Sequence, residues 1–298
     1  MKTSSILRTL LNQKQALVVP GVHDAITAKV AEQLGFKAIQ VSGFGLAGSL
    51  LGLPDMAFLS FKEMLDFTRN IVDAVNIPVM ADADTGFGSA LNARHVTEKL
   101  IKAGCASMNI EDQQFPKRCG HMEGKTIVSK EEMVLKIKAC ADIRDSLDPD
   151  FIINARTDAI AIEGIDATII RGNAYAEAGA DMIFVEAPRS IEQIEKAVKE
   201  INALVSINFF DSIEGGKTPL LPYEQMKELG VARISVPVGS IFAEVKGVTN
   251  YLEAIRDHIA PDRKDLLVPF AEYRDLVGYK NFRNMEKKYL PTFIDNNK

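Results

Sequence analysis

The sequence repeats one local pattern, in which a helical stretch ends at a glycine and a short run rich in Val and Ile follows. The glycines and their runs are Gly35 before residues 38–41, Gly104 before 107–110, Gly179 before 182–185, and Gly230 before 233–236. Glycine readily takes the left-handed conformation that closes a helix, and short β-branched runs are typical of buried parallel strands. Four similar runs without the glycine bring the predicted strands to eight, at residues 17–19, 78–81, 151–153 and 204–207.

The segments between these runs have helical patterns. Val96, Leu100 and Ile101 fall on one face of a helix. A capping box, Ser followed three residues later by Glu or Gln, indicates a helix start at Ser60, Ser129 and Ser190. Eight strands that alternate with helices predict an α/β fold, a (β/α)8 barrel. An open doubly wound sheet is the alternative, but no Gly-x-Gly-x-x-Gly follows the first strand.

The chain has 298 residues without an apparent linker, so we predict a single barrel domain over residues 1–298. Residues from about 261 to 298 are expected to form a C-terminal helical extension. Leu266, Phe270 and Tyr273 have amphipathic spacing in this segment.

Composition argues against several classes of partner. The formal net charge is −5 and no long basic run occurs, which disfavours nucleic acid as a partner. No apolar run approaches the ~18–20 residues that cross a bilayer, and the N-terminus lacks the pattern of a secretory signal. Cys105, Cys119 and Cys140 are odd in number and lack metal-type spacing, which favours a cytoplasmic location.

Polar residues follow most of the predicted strands, at the end of a barrel where chemistry takes place. Asp82, Asp84 and Glu111 are expected to converge from adjacent strands, although a lone Asp after a strand is usually a turn residue. Carboxylates that converge repel one another unless a cation or proton lies among them. Oxygen ligands with few imidazoles suit Mg²⁺, or Mn²⁺, better than zinc. Arg156 is placed to bind a substrate carboxylate with its two-pronged guanidinium.

The loop after the fourth strand, residues 113–126, is long enough to act as a lid. At its centre is Lys-Arg-Cys-Gly-His at 117–121, where cationic neighbours would keep the Cys119 thiol reactive. The alternative is an inert, exposed cysteine. Cys105 and Cys140 are interpreted as small core residues.

With these motifs in order, the sequence resembles the isocitrate lyase and phosphoenolpyruvate mutase superfamily. The nearest branch contains 2-methylisocitrate lyase, 2,3-dimethylmalate lyase, oxaloacetate hydrolase and the petal-death lyase of plants. The resemblance covers nearly the whole chain. The segments that carry it are 41–43, 51–55, 82–88, 110–113, 117–121, 155–158, 185–187 and 214–219.

The resemblance implies a barrel whose last helix is exchanged with a partner subunit, within a homotetramer. It implies Mg²⁺ near Asp82, with Asp55, Asp84 and Glu111 holding its waters. The residues that it places against a small hydroxy di- or tricarboxylic acid are Ser42, Gly43, Phe44, Gly120, Arg156, Glu186 and Asn208.

The implied reaction is a retro-aldol, Claisen-type cleavage of a carbon–carbon bond that yields pyruvate and a carboxylic acid. Cys119 would protonate the carbon of the enediolate, with His121 and Arg118 tuning its acidity. The base that takes the hydroxyl proton stays open, with a metal-held carboxylate such as Glu111 or a water as candidates. Rival readings are an oxaloacetate hydrolase or decarboxylase, a phosphonate enzyme, a Schiff-base aldolase and a non-catalytic binding protein.

Two segments point to different substrates. Residues 208–216 appear longer by about three residues than the Asn-x-Thr-Glu-Phe-Gly form of 2-methylisocitrate lyases, and residues 214–219 resemble the dimethylmalate lyase group. Residues 125–133, in contrast, resemble a methylisocitrate lyase. We therefore expect a substituted malate such as 2,3-dimethylmalate, with 2-methylisocitrate as the alternative.

Overall fold

The structure is a computed structural model that describes residues 1–13, 15–120, 122, 124–209 and 216–290. The chain divides into two compact units, Met1–Phe242 and Ala243–Lys298. The first unit contains a closed barrel of eight parallel strands in sequential order, β1 to β8. The strands are β1 Leu17–Val22, β2 Ile39–Val41, β3 Val79–Asp82, β4 Ser107–Glu111, β5 Ile152–Thr157, β6 Met182–Val185, β7 Leu204–Asn208 and β8 Arg233–Val236.

Helices precede, connect and follow these strands. The α-helices within the described residues are α1 Thr3–Asn12, α2 Ala25–Gln33, α3 Gly43–Leu46, α4 Phe61–Ala74, α5 Ala90–Lys102, α6 Lys130–Leu147, α7 Ile160–Glu163, α8 Ile165–Glu177, α9 Ile191–Glu200, α10 Tyr223–Glu228, α11 Gly239–Arg256, α12 Phe270–Leu276 and α13 Tyr279–Tyr289. A π-helical turn spans Ala47–Leu51, and 3-10 turns span Ala260–Asp262 and Lys264–Leu266. The predicted (β/α)8 barrel and the helices that follow it are confirmed.

The glycine signal has the predicted physical basis. Gly35, Gly104, Gly179 and Gly230 have φ angles of 87°, 87°, 110° and 85°, a region that disfavours side chains with a Cβ. Each closes a helix one turn before a strand. All eight predicted strands form, and β5 continues to Thr157, beyond the predicted run.

The capping boxes form only in part. Ser60, Ser129 and Ser190 each accept a hydrogen bond from the backbone N–H three residues later. The reciprocal half forms at Glu63, whose carboxylate accepts from the Ser60 backbone N–H. At α9 the prediction is wrong in detail, because the Gln193 amide oxygen accepts from the backbone N–H of Arg189 instead of Ser190.

The N-terminal end of the barrel is closed by α1. Leu7 and Leu11 are buried there against residues of the barrel floor that include Met80, Ile152 and Met182. The other end is left for polar side chains. In between, the interior is polar, with Gln40 bonded to Ser235 at 2.8 Å and Asn109 bonded to Asn154 at 2.6 Å. Residues at the open end thus rest on a hydrogen-bonded layer.

The three cysteines are free, and the predicted core positions of two of them are confirmed. Burial raises the pKa of Cys105 to about 12 and that of Cys140 to about 11, so both stay neutral thiols. None of the helices described is long and apolar enough to span a membrane. The cytoplasmic location stays a prediction from the sequence.

Candidate active site

A cleft opens at the carboxyl ends of the barrel strands, with an empty volume of about 580 Å³. Its lining residues are Gln40, Val41, Ser42, Gly43, Phe44, Asp55, Asp82, Asn109, Glu111, Lys117, Cys119, Gly120, Arg156, Phe184, Glu186, Asn208, Ser235, Pro237 and Val238.

Eleven of the fourteen residues singled out in the sequence meet in this cleft. They are Ser42, Gly43, Phe44, Asp55, Asp82, Glu111, Cys119, Gly120, Arg156, Glu186 and Asn208. Asp84 is buried behind the lining and reaches the site through Lys117. Arg118 does not line the cleft. Its guanidinium lies beside Gly124, 3.1 Å from the place that a Cβ on that glycine would take. His121 lies outside the described residues, as do residues 210–215 of the segment 208–216 that was predicted to be longer.

A buried ammonium group holds the acidic side of the cleft together. Lys117 Nζ lies 2.7 Å from Asp55 Oδ1 and 2.8 Å from Asp84 Oδ1. Burial acts to lower the pKa of Lys117, but the carboxylates of Asp84 and Asp55 raise it well above its ordinary value. Burial raises the pKa of Asp84 to about 6, against the lowering effect of Lys117. The ammonium therefore supplies the positive charge that these converging carboxylates need.

Arg156 faces carboxylates from three neighbouring strand ends. Its guanidinium donates two hydrogen bonds to Asp158, at 2.9 and 3.1 Å, and lies 3.5 Å from Glu111 and 3.6 Å from Glu186. Burial acts to lower the pKa of Arg156, but Asp158 and the two glutamates raise it well above its ordinary value. Burial raises the pKa of Glu111 well above its usual range even though Arg156 and Lys117 lower it. Arg156 is thus a fixed cation with one face in the cleft.

The loop that carries Cys119 is attached to the barrel rim at several points. The Gln113 side-chain amide donates to the Arg118 carbonyl at 2.8 Å and accepts from the Arg118 backbone N–H at 3.0 Å. The Cys119 backbone N–H donates to the Asp55 carbonyl at 3.2 Å. These bonds place the thiol in the cleft lining rather than in solvent.

Gly120 lies directly on the base of the cleft. A Cβ at this position would come within 2.2 Å of Glu186 Oε1 and 2.3 Å of Arg156 Nη2. On its other side, Lys125 donates to the Gly120 carbonyl and forms an ion pair with Asp158. Burial acts to raise the pKa of Asp158, but Arg156 and Lys125 lower it to about 2. A side chain at position 120 would therefore displace the Glu186 carboxylate and the Arg156 guanidinium from their places in the cleft.

Sequence reasoning missed several residues of the site. Lys117 lay inside a motif that had been singled out, but it was interpreted only as a cation beside the thiol. The end of the eighth strand was not considered, although Pro237 and Val238 follow it and line the cleft. The signal that could have found this strand end was Pro237, a proline directly after the eighth predicted strand at residues 233–236. For Lys125 and Asn109, the sequence contains no signal that distinguishes them from an ordinary surface or core residue.

One wall of the cleft is apolar. Phe44 and Val238, which pack in one apolar cluster with Ile241, line it together with Pro237. Phe44 packs edge-on against Phe242, with the ring centroids 5.8 Å apart and the planes at 82°. The cleft therefore combines a charged side with a rigid hydrocarbon side.

The residues present fit a hard divalent cation. Asp82 lines the cleft, and its carboxylate accepts from the backbone N–H groups of Asp84 at 3.0 Å and Gly43 at 3.2 Å. A buried oxygen of Glu111, Oε1, has no hydrogen-bond partner in the described part of the chain. Among the described residues, no three side chains of His, Cys, Asp or Glu form a group that could hold a metal ion by themselves. This donor set suits Mg²⁺, which keeps several waters and takes few protein oxygens.

A barrel with a charged cleft at its strand ends, closed by a thiol-bearing loop, has the arrangement of a (β/α)8 enzyme for small carboxylic acids. The family model described as phosphoenolpyruvate phosphomutase matches residues 7–256, and the chain belongs to this family. The superfamily predicted from the sequence motifs is confirmed.

Curated relatives cover almost the whole chain. A 2,3-dimethylmalate lyase from Eubacterium barkeri is 43% identical over 290 residues, which is 97% of this chain and 99% of that protein. A 2-methylisocitrate lyase from Aeropyrum pernix is 37% identical over 282 residues, which is 94% of this chain and 89% of the relative. Both relatives are named as lyases, which confirms the predicted enzyme class, a carbon–carbon lyase.

Solved structures share the fold. An oxaloacetate acetylhydrolase in complex with 3,3-difluorooxaloacetate has a TM-score of 0.90 and 31% identity, covering 96% of this chain and 97% of that one. A phosphonopyruvate hydrolase in complex with oxalate and Mg²⁺ has a TM-score of 0.87 and 31% identity, covering 97% and 100%.

Proposed function

We propose that this protein is a Mg²⁺-dependent lyase that cleaves a carbon–carbon bond of a 2-substituted malate to give pyruvate and a carboxylic acid. The observation that carries the proposal is that Cys119, Arg156 and the acidic group around Asp82 line one cleft. A proton donor, a carboxylate-binding cation and a cation site are the three components that this cleavage needs. The identity to dimethylmalate and methylisocitrate lyases supports the same class.

Asp82, together with Asp55, Asp84 and Glu111 through bound waters, would hold Mg²⁺, and the ion would supply positive charge that favours ionisation of a bound hydroxyl. Arg156 binds a substrate carboxylate, and its ion pairs with Glu111 and Glu186 orient the guanidinium. A carboxylate such as Glu111, or a water, receives the hydroxyl proton.

The bond between C2 and C3 of the substrate then breaks, and its electron pair moves to C3. C2 becomes the carbonyl carbon of pyruvate, while C3 and its carboxylate form an enediolate. Cys119 donates a proton from Sγ to C3, which completes the second product. The loop contacts to Gln113 and Asp55 keep water away from this carbon while it is basic.

The apolar wall supports an alkyl-substituted substrate. Phe44, Pro237 and Val238 offer no hydrogen-bonding side-chain group, so a methyl group is accommodated there better than a third carboxylate. This favours 2,3-dimethylmalate over 2-methylisocitrate.

The test is an assay for pyruvate release coupled to lactate dehydrogenase. We expect activity with 2,3-dimethylmalate or another malate that carries a methyl group at C2, since that group becomes the methyl group of pyruvate, and we expect this activity to be lost with EDTA. Parallel reactions contain 2-methylisocitrate and oxaloacetate. Activity confined to oxaloacetate would refute the proposed substrate class, and activity that resists EDTA would refute the metal.

Hydrolysis of oxaloacetate is the second candidate, because a structure of that enzyme aligns at a TM-score of 0.90. It would yield oxalate and acetate instead of pyruvate. Detection of oxalate, with no signal in the coupled assay, would establish this alternative.

Replacing Val238 by Thr should change substrate preference. A hydroxyl in the apolar wall disfavours a methyl group, and we expect kcat/KM for 2,3-dimethylmalate to fall about tenfold relative to unsubstituted malate or oxaloacetate. The ratio between two substrates measured on one preparation serves as the control. An unchanged ratio would place the alkyl group elsewhere in the cleft.

We also propose that the protein is a homotetramer in which α11 and the segment that follows it, from about residue 261, pack on a partner subunit. Support comes from a stripe of exposed apolar side chains on one face of α11 and just beyond it. They are Val245, Val248, Leu252, Ile255 and Ile259, at alternating spacings of three and four. Such spacing is typical of helix pairing.

Leu252→Glu should therefore shift the species seen by light scattering to smaller oligomers. Lys246→Glu is the matched control, because it changes a charge on the same helix, α11, but outside the apolar stripe. It should leave the mass unchanged. A monomeric wild-type protein would contradict the proposed assembly.

A further inference from the structure

The barrel interior beneath the cleft contains a fully buried arginine. Arg233 is the first residue of β8, and its exposed fraction is 0%. It pairs in register with Leu17 of β1 and Ser206 of β7, positions that face the inside of the barrel. It does not line the cleft, so the mechanism above does not use it.

The guanidinium of Arg233 is poorly compensated. Nη1 donates to Ser206 Oγ at 3.0 Å, whereas Nε and Nη2 have no hydrogen-bond partner in the described part of the chain. Burial lowers the pKa of Arg233 to about 9, and the group still carries its charge at neutral pH. A buried charge without a carboxylate is unfavourable for folding, and a hydrocarbon side chain of similar size would be less so. Arg233 is therefore not explained by stability.

An aromatic contact of Arg233 leads to the substrate site. The guanidinium carbon of Arg233 lies 5.6 Å from the centroid of the Phe184 ring. The guanidinium carbon of Arg156 lies 5.4 Å from the same centroid. Phe184 is the register partner of Arg156 across β5 and β6, and it lines the cleft. Aromatic rings attract cations through their faces, so the two arginines share one electron-rich ring.

We propose that Arg233 is a positioning residue that, through the Phe184 ring, holds the Arg156 guanidinium in the orientation that receives a substrate carboxylate. The ring transmits the restraint, because a change at Arg233 frees Phe184 and then Arg156. The inference rests on the proposed function in that Arg156 is taken to bind the substrate.

The experiment compares Arg233→Met with wild type. Thermal unfolding, oxalate binding by calorimetry with Mg²⁺ present, and steady-state kinetics are measured. We expect oxalate to bind about tenfold more weakly and KM to rise about tenfold, with kcat within about threefold, because Arg156 binds ground state and transition state alike. The unfolding temperature should be unchanged or higher, since an uncompensated buried charge is removed.

Arg144→Met is the matched control. Arg144 is also largely buried, but it pairs with Asp181, directly before β6, and neither residue lines the cleft. Its loss should lower the unfolding temperature and leave oxalate affinity unchanged. A purely structural role for Arg233 would give this same pattern in Arg233→Met and would overturn the inference.

Phe184→Leu tests the path and covers the case in which Arg233→Met does not fold. It removes the ring but leaves both arginines, and should weaken oxalate binding to a similar degree. The double variant should be no weaker than either single variant, and additive losses would contradict the shared path.

A crystal structure of Arg233→Met gives a readout that is independent of activity. The Arg156 guanidinium should leave its position over the Phe184 ring. An unmoved Arg156 overturns the inference even if pyruvate release is confirmed, whereas absence of pyruvate release by the wild-type protein counts against the proposed function alone.

Discussion

Serine in place of Cys119 should lower turnover by at least ~100-fold, the scale for losing a positioned acid. The hydroxyl is far less acidic than the thiol, so it delivers a proton to carbon poorly. Binding of oxalate and of Mg²⁺ should remain largely intact, because Arg156 and the acidic group around Asp82 are untouched. Single-turnover kinetics would then show that the chemical step, and not substrate binding, has slowed.

The matched control is Cys140→Ala. Cys140 is a buried thiol in α6 outside the cleft, and its removal should leave turnover within about twofold even if stability falls slightly. Near-normal turnover in Cys119→Ser would mean that the thiol is inert. The proton donor would then have to be sought elsewhere on the loop.

Methionine in place of Lys117 should reduce both stability and turnover. The ammonium is 5% exposed and bridges Asp55 and Asp84, so its removal leaves two buried carboxylates without compensation. We expect the free energy of unfolding to fall by about 3–5 kcal/mol, the usual effect of breaking a buried ion pair. Turnover should fall at least ~100-fold, because the Asp55 carbonyl also accepts from the Cys119 backbone N–H.

The defect should be smaller at low pH. Burial raises the pKa of Asp84 to about 6 even with Lys117 present, above its ordinary value of 3.8. A carboxyl group with a raised pKa binds its proton more tightly in the folded state, so its contribution to stability is lost as pH rises through about 4 to 6. Without Lys117 the pKa rises further, and the variant should gain stability from pH 8 to pH 5 relative to wild type.

Lys136→Met is the control for this prediction. Lys136 is also a buried lysine, but its ammonium donates to the Thr85 carbonyl at 3.2 Å and does not bridge the acidic group. Turnover should be preserved in this variant, and its stability should not improve at low pH. Equal behaviour of the two lysine variants would show that burial alone, and not the bridge, explains the role of Lys117.

Much of the fold follows from local sequence signals. Gly35 and Gly104 close helices because their left-handed φ angles disfavour a Cβ, and the β-branched runs that follow them form strands because the barrel buries both faces. The order of these elements is sufficient to predict a barrel. The predicted reciprocal hydrogen bond at Ser190 was wrong, because the Gln193 side chain accepts from the backbone N–H of Arg189 instead.

Only some of the site residues could be predicted from the sequence. Asp82, Glu111 and Arg156 follow strands, and strand ends in a barrel converge regardless of their separation in sequence. Arg118 was predicted from its proximity to Cys119 in sequence. That role of its side chain stays a prediction. Its backbone, bonded to Gln113, attaches the loop to the barrel.

The Lys-Arg-Cys-Gly-His segment illustrates both sides of this division. Sequence alone determined that a thiol stands among cations on a long loop after the fourth strand, because these are properties of residue type and order. Only the tertiary structure decided that Lys117 bridges Asp55 and Asp84, and that Gly120 touches Arg156 and Glu186. It also decided that Arg233 lies beneath Phe184. The reason is physical: contact energies and pKa shifts depend on distances of a few ångströms across the barrel, and closure of the sheet sets those distances.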